Sequence, residues 1–185
     1  MEKKPELILI VASTINGDIG YKGSVPWTLK GDLPRFKYQT TGNVLIIGRS
    51  THESMPESMP GRIRVVLTRD PGYASQIHDP ENGIYSASSF DEAVEKAKSF
   101  NTEAIFFAGG ASIYEEAMSI VDKAYVTLVH KSAPRYDTWI KDFSFPVDKW
   151  VLTSNQCVEE PDAQHPEFVV PSHSYLTFER IEPQE

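Results

Sequence analysis

The chain is poor in cysteine: Cys157 is the only one in 185 residues. No internal disulfide can form, and the expected setting is a reducing compartment, the cytoplasm. Long apolar runs are missing too, so no membrane span is expected. Met1-Glu2-Lys3-Lys4-Pro5-Glu6 leads straight into a strand-like run, with no signal-type hydrophobic segment or cleavage site, and export is not expected. Basic residues are few, 18 against 26 acids, for a net charge of −8. That excludes a general nucleic-acid binder, which needs a basic surface, but leaves room for a small anion held by a few arginines. The histidines at 52, 78, 130, 165 and 173 make no close ligand pair with one another or with Cys157, so no metal site is expected. There is no Gly-x-Ser-x-Gly elbow, no Cys-x-x-Cys and no His-Glu-x-x-His, which disfavours covalent and zinc chemistry. Neither an internal repeat nor a Gly/Ser linker divides the chain, and 1–185 reads as one domain.

What is present is a regular alternation. Leu7–Ala12 is apolar without interruption, as a strand buried on both faces must be. Val44–Ile47, Val65–Thr68, Ile84–Ser86, Ile105–Ala108 and Tyr125–Val129 read as further strands, with Trp150–Thr153 and Tyr175–Phe178 closing the chain. Between them lie four helical stretches. Residues 32–40 and 49–55 make two short ones. Ser89-Phe90-Asp91-Glu92 has capping-box spacing and opens a third, to about Ser99. Ser112 to about Val121 makes a fourth, with Ile113, Ala117 and Ile120 on one face. The expected fold is therefore α/β: eight strands, mostly parallel, an antiparallel C-terminal strand, and about four flanking helices. Pro56–Arg62 reads as a turn-rich connection, and Glu159–Ser172, with three prolines, as a long loop.

Three segments carry candidate chemistry. In Pro26-Trp27-Thr28-Leu29-Lys30-Gly31-Asp32-Leu33-Pro34-Arg35-Phe36, helical spacing puts Asp32 and Phe36 on one face, with Leu29 and Leu33 flanking it. A carboxylate against apolar surface is hard to ionise and suits proton transfer near neutrality. The alternative is an Asp that merely caps a helix. The second segment, Ile47-Gly48-Arg49-Ser50-Thr51, ends a strand and starts a helix, a plausible phosphate cradle or a plain turn beside a solvated Arg. The third, Ala108-Gly109-Gly110-Ala111-Ser112, implies close backbone approach or a tight turn. Arg62 and Arg69 are anion ligands or surface residues. Trp27 and Tyr114 are site residues or packing, and His52 reads as solvent-facing.

The order of these pieces resembles dihydrofolate reductase. The resemblance rests on Ala12, Gly17-Asp18-Ile19-Gly20, Pro26-Trp27 with Asp32 and Phe36, and Gly48-Arg49 with Thr51, Glu53 and Ser54. It continues through Pro60-Gly61-Arg62, Ala108-Gly109-Gly110 with Ile113-Tyr114-Glu115, Thr127, Asp137-Thr138 and His173-Ser174-Tyr175. It implies NADPH as cofactor, dihydrofolate as substrate, and a monomer. Asp32 would hold the pteridine ring and help protonate N5, with Trp27 placing a water and Thr127 supporting Asp32 from behind. Val11, Ala12, Phe36, Ala108 and Tyr114 would border the substrate, Met55 and Met59 its benzoyl group, and Arg62 its glutamate α-carboxylate. Ala12, Ile19 and Gly20 would meet the nicotinamide. Gly48, Arg49, Ser50 and Thr51, with Ala111, Ser112 and Ile113, would surround the cofactor phosphates, and Thr68 and Arg69 the 2′-phosphate. Gly109 and Gly110 would be joined by a cis peptide. A reductase of a ribosylaminopyrimidine and a folate-holding protein without turnover are the competing functions. Departures from the family pattern are Val25, Tyr136, His52 in place of a common Trp, and the length of 159–172.

Overall fold

Along the first strand, β1 (Glu6–Thr14), Leu7, Leu9 and Val11 enter one core cluster while Ile8 and Ile10 enter another. A strand apolar on both faces belongs in the middle of a sheet covered on both sides, and β1 lies there. The computed structural model describes residues 4–29, 31–131, 135–158 and 172–181. After β1 come β2 (Asp18–Gly20), α1 (Asp32–Thr40), β3 (Val44–Gly48), α2 (Arg49–Ser54) and β4 (Ile63–Leu67). Then follow α3 (Pro71–Ile77), β5 (Ile84–Ala87), α4 (Phe90–Lys98), β6 (Ala104–Phe107), α5 (Ala111–Ala117) and β7 (Lys123–Val129). The chain ends with β8 (Thr138–Trp139), β9 (Trp150–Val158) and β10 (His173–Arg180). Eight strands form one sheet in the order β5-β4-β3-β6-β1-β7-β10-β9. Among the described residues of this sheet, β10 is the one reversed strand, antiparallel to both β7 and β9. The expected loop over 159–172 lies, but for Ser172, outside the described residues.

Helices α4 and α5 cover one face through Ala93, Val94, Ala97, Ile113, Tyr114 and Ala117. Phe36 of α1, Met55 after α2, and Tyr73 and Ile77 of α3 pack on the other. The capping box of α4 forms in modified shape. Ser89 accepts from Glu92 N at 3.2 Å, but the Glu92 carboxylate reaches Ser88 N and Oγ, at 2.8 and 2.6 Å.

Three features differ from expectation. Among the described residues there are five α-helices rather than about four, because the Asp70 side chain accepts from Gly72 N and Tyr73 N to cap α3, with Pro71 in its first turn. That Asp-Pro signal is visible in the sequence. A two-stranded ribbon pairs β2 with β8, too short for any periodicity to reveal. And α5 stops at Ala117, so Ile120 leaves the buried face and is 37% exposed.

The sheet opens where β6 ends. β1 pairs with β6 only as far as Leu9–Phe107, yet stays paired with β7 to Thr14–Val129. Beyond Phe107 the chain turns to β3 instead, with Ala108 N donating to Ile46 O and Gly48 N to Gly109 O. A cleft between strand ends of this kind is where open α/β sheets take ligands.

Candidate active site

Asp32 is the first residue of α1, and Gly31, at φ 88°, occupies the cap position with no side-chain cap bond. The capping alternative therefore fails: the Asp32 carboxylate is free to face elsewhere. Its Oδ1 accepts from Thr127 Oγ1 at 2.7 Å. Thr127 pairs in register with Ala12 and lies on the same side of β7 as Tyr125, which packs on the α1 face. Asp32 and Phe36, on one face by their spacing, are both half-buried, and Leu29 is buried. Leu33 does not flank that face; it points outward, 76% exposed. Nearby, the buried Tyr114 hydroxyl donates to Ile10 O at 3.1 Å. Burial, and secondly the charge of Asp32, push the Tyr114 phenol above its ordinary value, so it remains a neutral donor. Trp27 Nε1 is buried with no acceptor among the described residues.

The two glycine-bearing turns meet. The Gly109–Gly110 peptide is cis, and Gly109 has φ +115°, in the region that favours glycine. A Cβ on Gly109 would stand 3.1 Å from Thr51 Oγ1 and 3.3 Å from Tyr114 OH, and one on Gly48 would stand 3.5 Å from Gly110 N. The starts of α2 and α5 thus lie side by side because neither turn carries a side chain.

Other candidates are placed less simply. Arg49 is already engaged: its guanidinium bonds Glu53 at 2.8 Å and Asp70 at 3.0 Å, and stacks on Tyr73 at 4.0 Å. Ser50 is exposed, Thr51 half-buried, Ala111 half-buried and Ser112 exposed. Ile113 is wholly buried in the core, so it can offer only backbone. The same holds for Val11, whose side chain enters the cluster on the face away from Phe36. Met55 is half-buried beside Phe36, whereas Met59 is a core residue at 8% exposure. Arg62 is half-buried, with Nε lacking an acceptor among the described residues, and burial lowers its guanidinium from its ordinary value. Thr68 is buried and Arg69 exposed at the end of β4. Ala108 is buried at the sheet opening.

His52 is not solvent-facing. Its ring is half-buried, edge-on to Tyr73 at 6.4 Å, and burial, then the charge of Arg64, holds its pKa below the ordinary value against Glu53. The segment around Ile19 and Gly20 also finds a partner: Gly20 O accepts from Asp137 N, and Asp137 Oδ2 from Lys22 N at 2.8 Å. Tyr136 therefore does not disturb this contact. Sequence reasoning missed Arg35, whose guanidinium lies 4.5 Å from the Tyr175 ring and 5.8 Å from Tyr125, beside Asp32 on α1. Only the i, i+3 spacing from Asp32 hinted at it.

The chain is similar to several known proteins. A dihydrofolate reductase from Candida albicans is 33% identical, covering 80% of this chain and 80% of its own. One from Staphylococcus aureus is 30% identical over 80% and 85%. The dihydrofolate reductase of Enterococcus faecalis, solved in complex with NADP(H) and RAB-propyl, superposes with a TM-score of 0.78 at 26% identity, covering 96% of this chain and 97% of that one. The dihydrofolate reductase family model matches residues 6–174, and the chain belongs to that family.

Proposed function

We propose that this protein reduces 7,8-dihydrofolate to 5,6,7,8-tetrahydrofolate with NADPH. It is an NADPH-dependent oxidoreductase. The observation that carries the reading is the Thr127–Asp32 hydrogen bond at the open end of the sheet, next to the joined glycine turns. The turns fit the cofactor: they leave backbone rather than side chains where α2 and α5 begin, since a side chain at Gly109 would crowd Thr51 and Tyr114.

Bound NADPH supplies the hydride that reduces C6. The protein aligns and protonates. Asp32 takes the 2-amino group and N3 of the pterin, and Thr127 fixes the rotation of its carboxylate. Asp32 helps deliver a proton to N5, a contribution of about a hundred- to ten-thousandfold, and Trp27, with an indole N–H to offer, places a water beside the ring. Val11 and Ala12 present backbone, and Ala108 and Tyr114 close the far wall. Phe36 and Met55 flank the benzoyl ring with Met59 packed beneath, and Arg62 meets the α-carboxylate with parallel hydrogen bonds. Ile19 and Gly20 border the nicotinamide.

Gly48, Arg49, Ser50 and Thr51 face the cofactor phosphates together with the backbone of Ala111, Ser112 and Ile113, Arg49 by sharing its guanidinium with Glu53 and Asp70. Thr68 and Arg69 receive the 2′-phosphate, where one charged contact of about 1.5–3 kcal/mol favours NADPH over NADH roughly ten- to a hundredfold. No described helix is long and apolar enough to cross a membrane. On this reading the enzyme is one domain, acts as a cytoplasmic monomer, and has no nucleic-acid partner. The test is NADPH consumption with and without dihydrofolate, and with a ribosylaminopyrimidine in its place. Consumption that requires dihydrofolate is expected; none with dihydrofolate, or turnover of the pyrimidine instead, overturns the assignment.

A further inference from the structure

Arg64 is the bulkiest of the wholly buried side chains, 1% exposed, and the chemistry above gives it no part. It stands on β4, on the same side of the strand as Val66, which packs beneath α1 and α2, and Arg62 lies just before that strand. No ion pair among the described residues includes it. A buried guanidinium needs hydrogen bonds to offset its lost hydration. Arg64 finds two in main-chain carbonyls, Nη1 donating to Pro56 O at 3.3 Å and Nη2 to Glu57 O at 2.6 Å, while its Nε has no acceptor among the described residues. Both carbonyls lie in the connection from α2 to β4, which carries Met55, Met59 and Arg62. Arg62 and Arg64 also border one cavity of about 450 Å³, together with Ser58, Met59 and Gly61.

We propose that Arg64 is a positioning residue that pins the α2–β4 connection from inside, and so sets where Arg62 meets the carboxylate-bearing end of the substrate. This rests on the reading that Arg62 takes that carboxylate. The bonds from Arg64 reach the connection at its start, just after Met55, from where the chain runs on to Arg62, and no side-chain bond to any other part of this connection is seen among the described residues. The substrate's ring lies beyond this reach, at Asp32. Loss of Arg64 therefore weakens holding of the tail and leaves the reacting atoms alone.

The test compares the wild type with Arg64→Met and Arg64→Lys. Pro56 and Glu57 are exposed residues, so water can take over their carbonyls, and Met fills the space of a buried ion at little cost. Arg64→Met is expected to keep its melting temperature and to raise both KM for dihydrofolate and Kd for folate, read from tryptophan fluorescence without NADPH, by about tenfold. Its kcat stays within about twofold, and so does KM for a dihydropterin lacking the benzoylglutamate tail. Arg64→Lys, which keeps a donor near the two carbonyls, falls between. If Arg64→Met does not fold, Arg64→Lys decides alone, with at least a threefold rise for the tailed substrate only. Unchanged KM and Kd, or equal losses for tailed and tail-less substrates, overturn the proposal. Absence of wild-type turnover would instead refute the assigned activity, a separate outcome.

Discussion

Thr127 Oγ1 donates to Asp32 Oδ1 at 2.7 Å, although 95 residues separate them in the chain. The bond exists because β7 lies beside β1 while α1 crosses the same face. Asp32→Asn should leave thermal unfolding unchanged and lower turnover at neutral pH by about a hundred- to ten-thousandfold, the worth of a proton donor. Thr127→Val, which removes a hydrogen bond to a charged group, should lower kcat/KM by about tenfold or somewhat more. Steady-state NADPH oxidation measures both, and near-normal rates in Asp32→Asn would remove it from the mechanism.

Gly109→Ala places a methyl where φ is +115° and Thr51 Oγ1 is 3.1 Å away. Backbone strain of this kind costs about 1–3 kcal/mol. Urea unfolding should show that loss, and titration with NADPH should show weaker binding, because the methyl enters the contact between the two turns. Gly42, also at positive φ but with no atom within 4 Å of its Cβ position, is the control: Gly42→Ala should lose stability without losing cofactor affinity.

Glu92 accepts from Ser88 and Lys96, and the Ser88 bonds chiefly hold its carboxyl down at about 2, from an ordinary 4.5. A depressed folded value means that the stabilisation is present above about 4.5 and is lost as pH falls through about 2. The side chain is exposed, so solvent screening leaves roughly 1 kcal/mol. Glu92→Gln should therefore be less stable than wild type at pH 7 and equal to it near pH 2, by urea unfolding midpoints.

His52 titrates below its ordinary 6.5, chiefly through burial. The unfolded chain then binds the proton more readily than the folded one, so folding is penalised below pH 6.5 and not above it. His52→Phe removes this proton. Relative to wild type, the variant should gain stability as pH drops from 7 to 5; parallel stability curves for the two proteins would contradict the burial of the ring.

Much of the fold was legible in the chain. Leu7–Ala12 and Val44–Ile47 are apolar at every position, and such runs have only a sheet interior to enter, so eight strands and their mostly parallel order followed from local pattern. Asp32, Phe36 and the glycine turns could be picked out because their spacing along a helix or strand is itself local. The ribbon of β2 with β8 was not legible, since a pairing of such short segments leaves no periodicity. Nor was the burial of His52 or Arg64: polar residues read as exposed until a fold supplies partners, here Tyr73 for the one and the Pro56 and Glu57 carbonyls for the other. By itself the sequence determined the eight strands of the main sheet, four of the helices and the residue types of the candidate site, because propensity and hydrophobic period act over a few residues. Tertiary structure alone decided that β6 ends short of β1 to open a cleft, that Thr127 rather than a helix cap claims the Asp32 carboxylate, and that Arg49 is shared between two acids. Those outcomes depend on contacts between segments far apart in the chain, whose register no local pattern encodes.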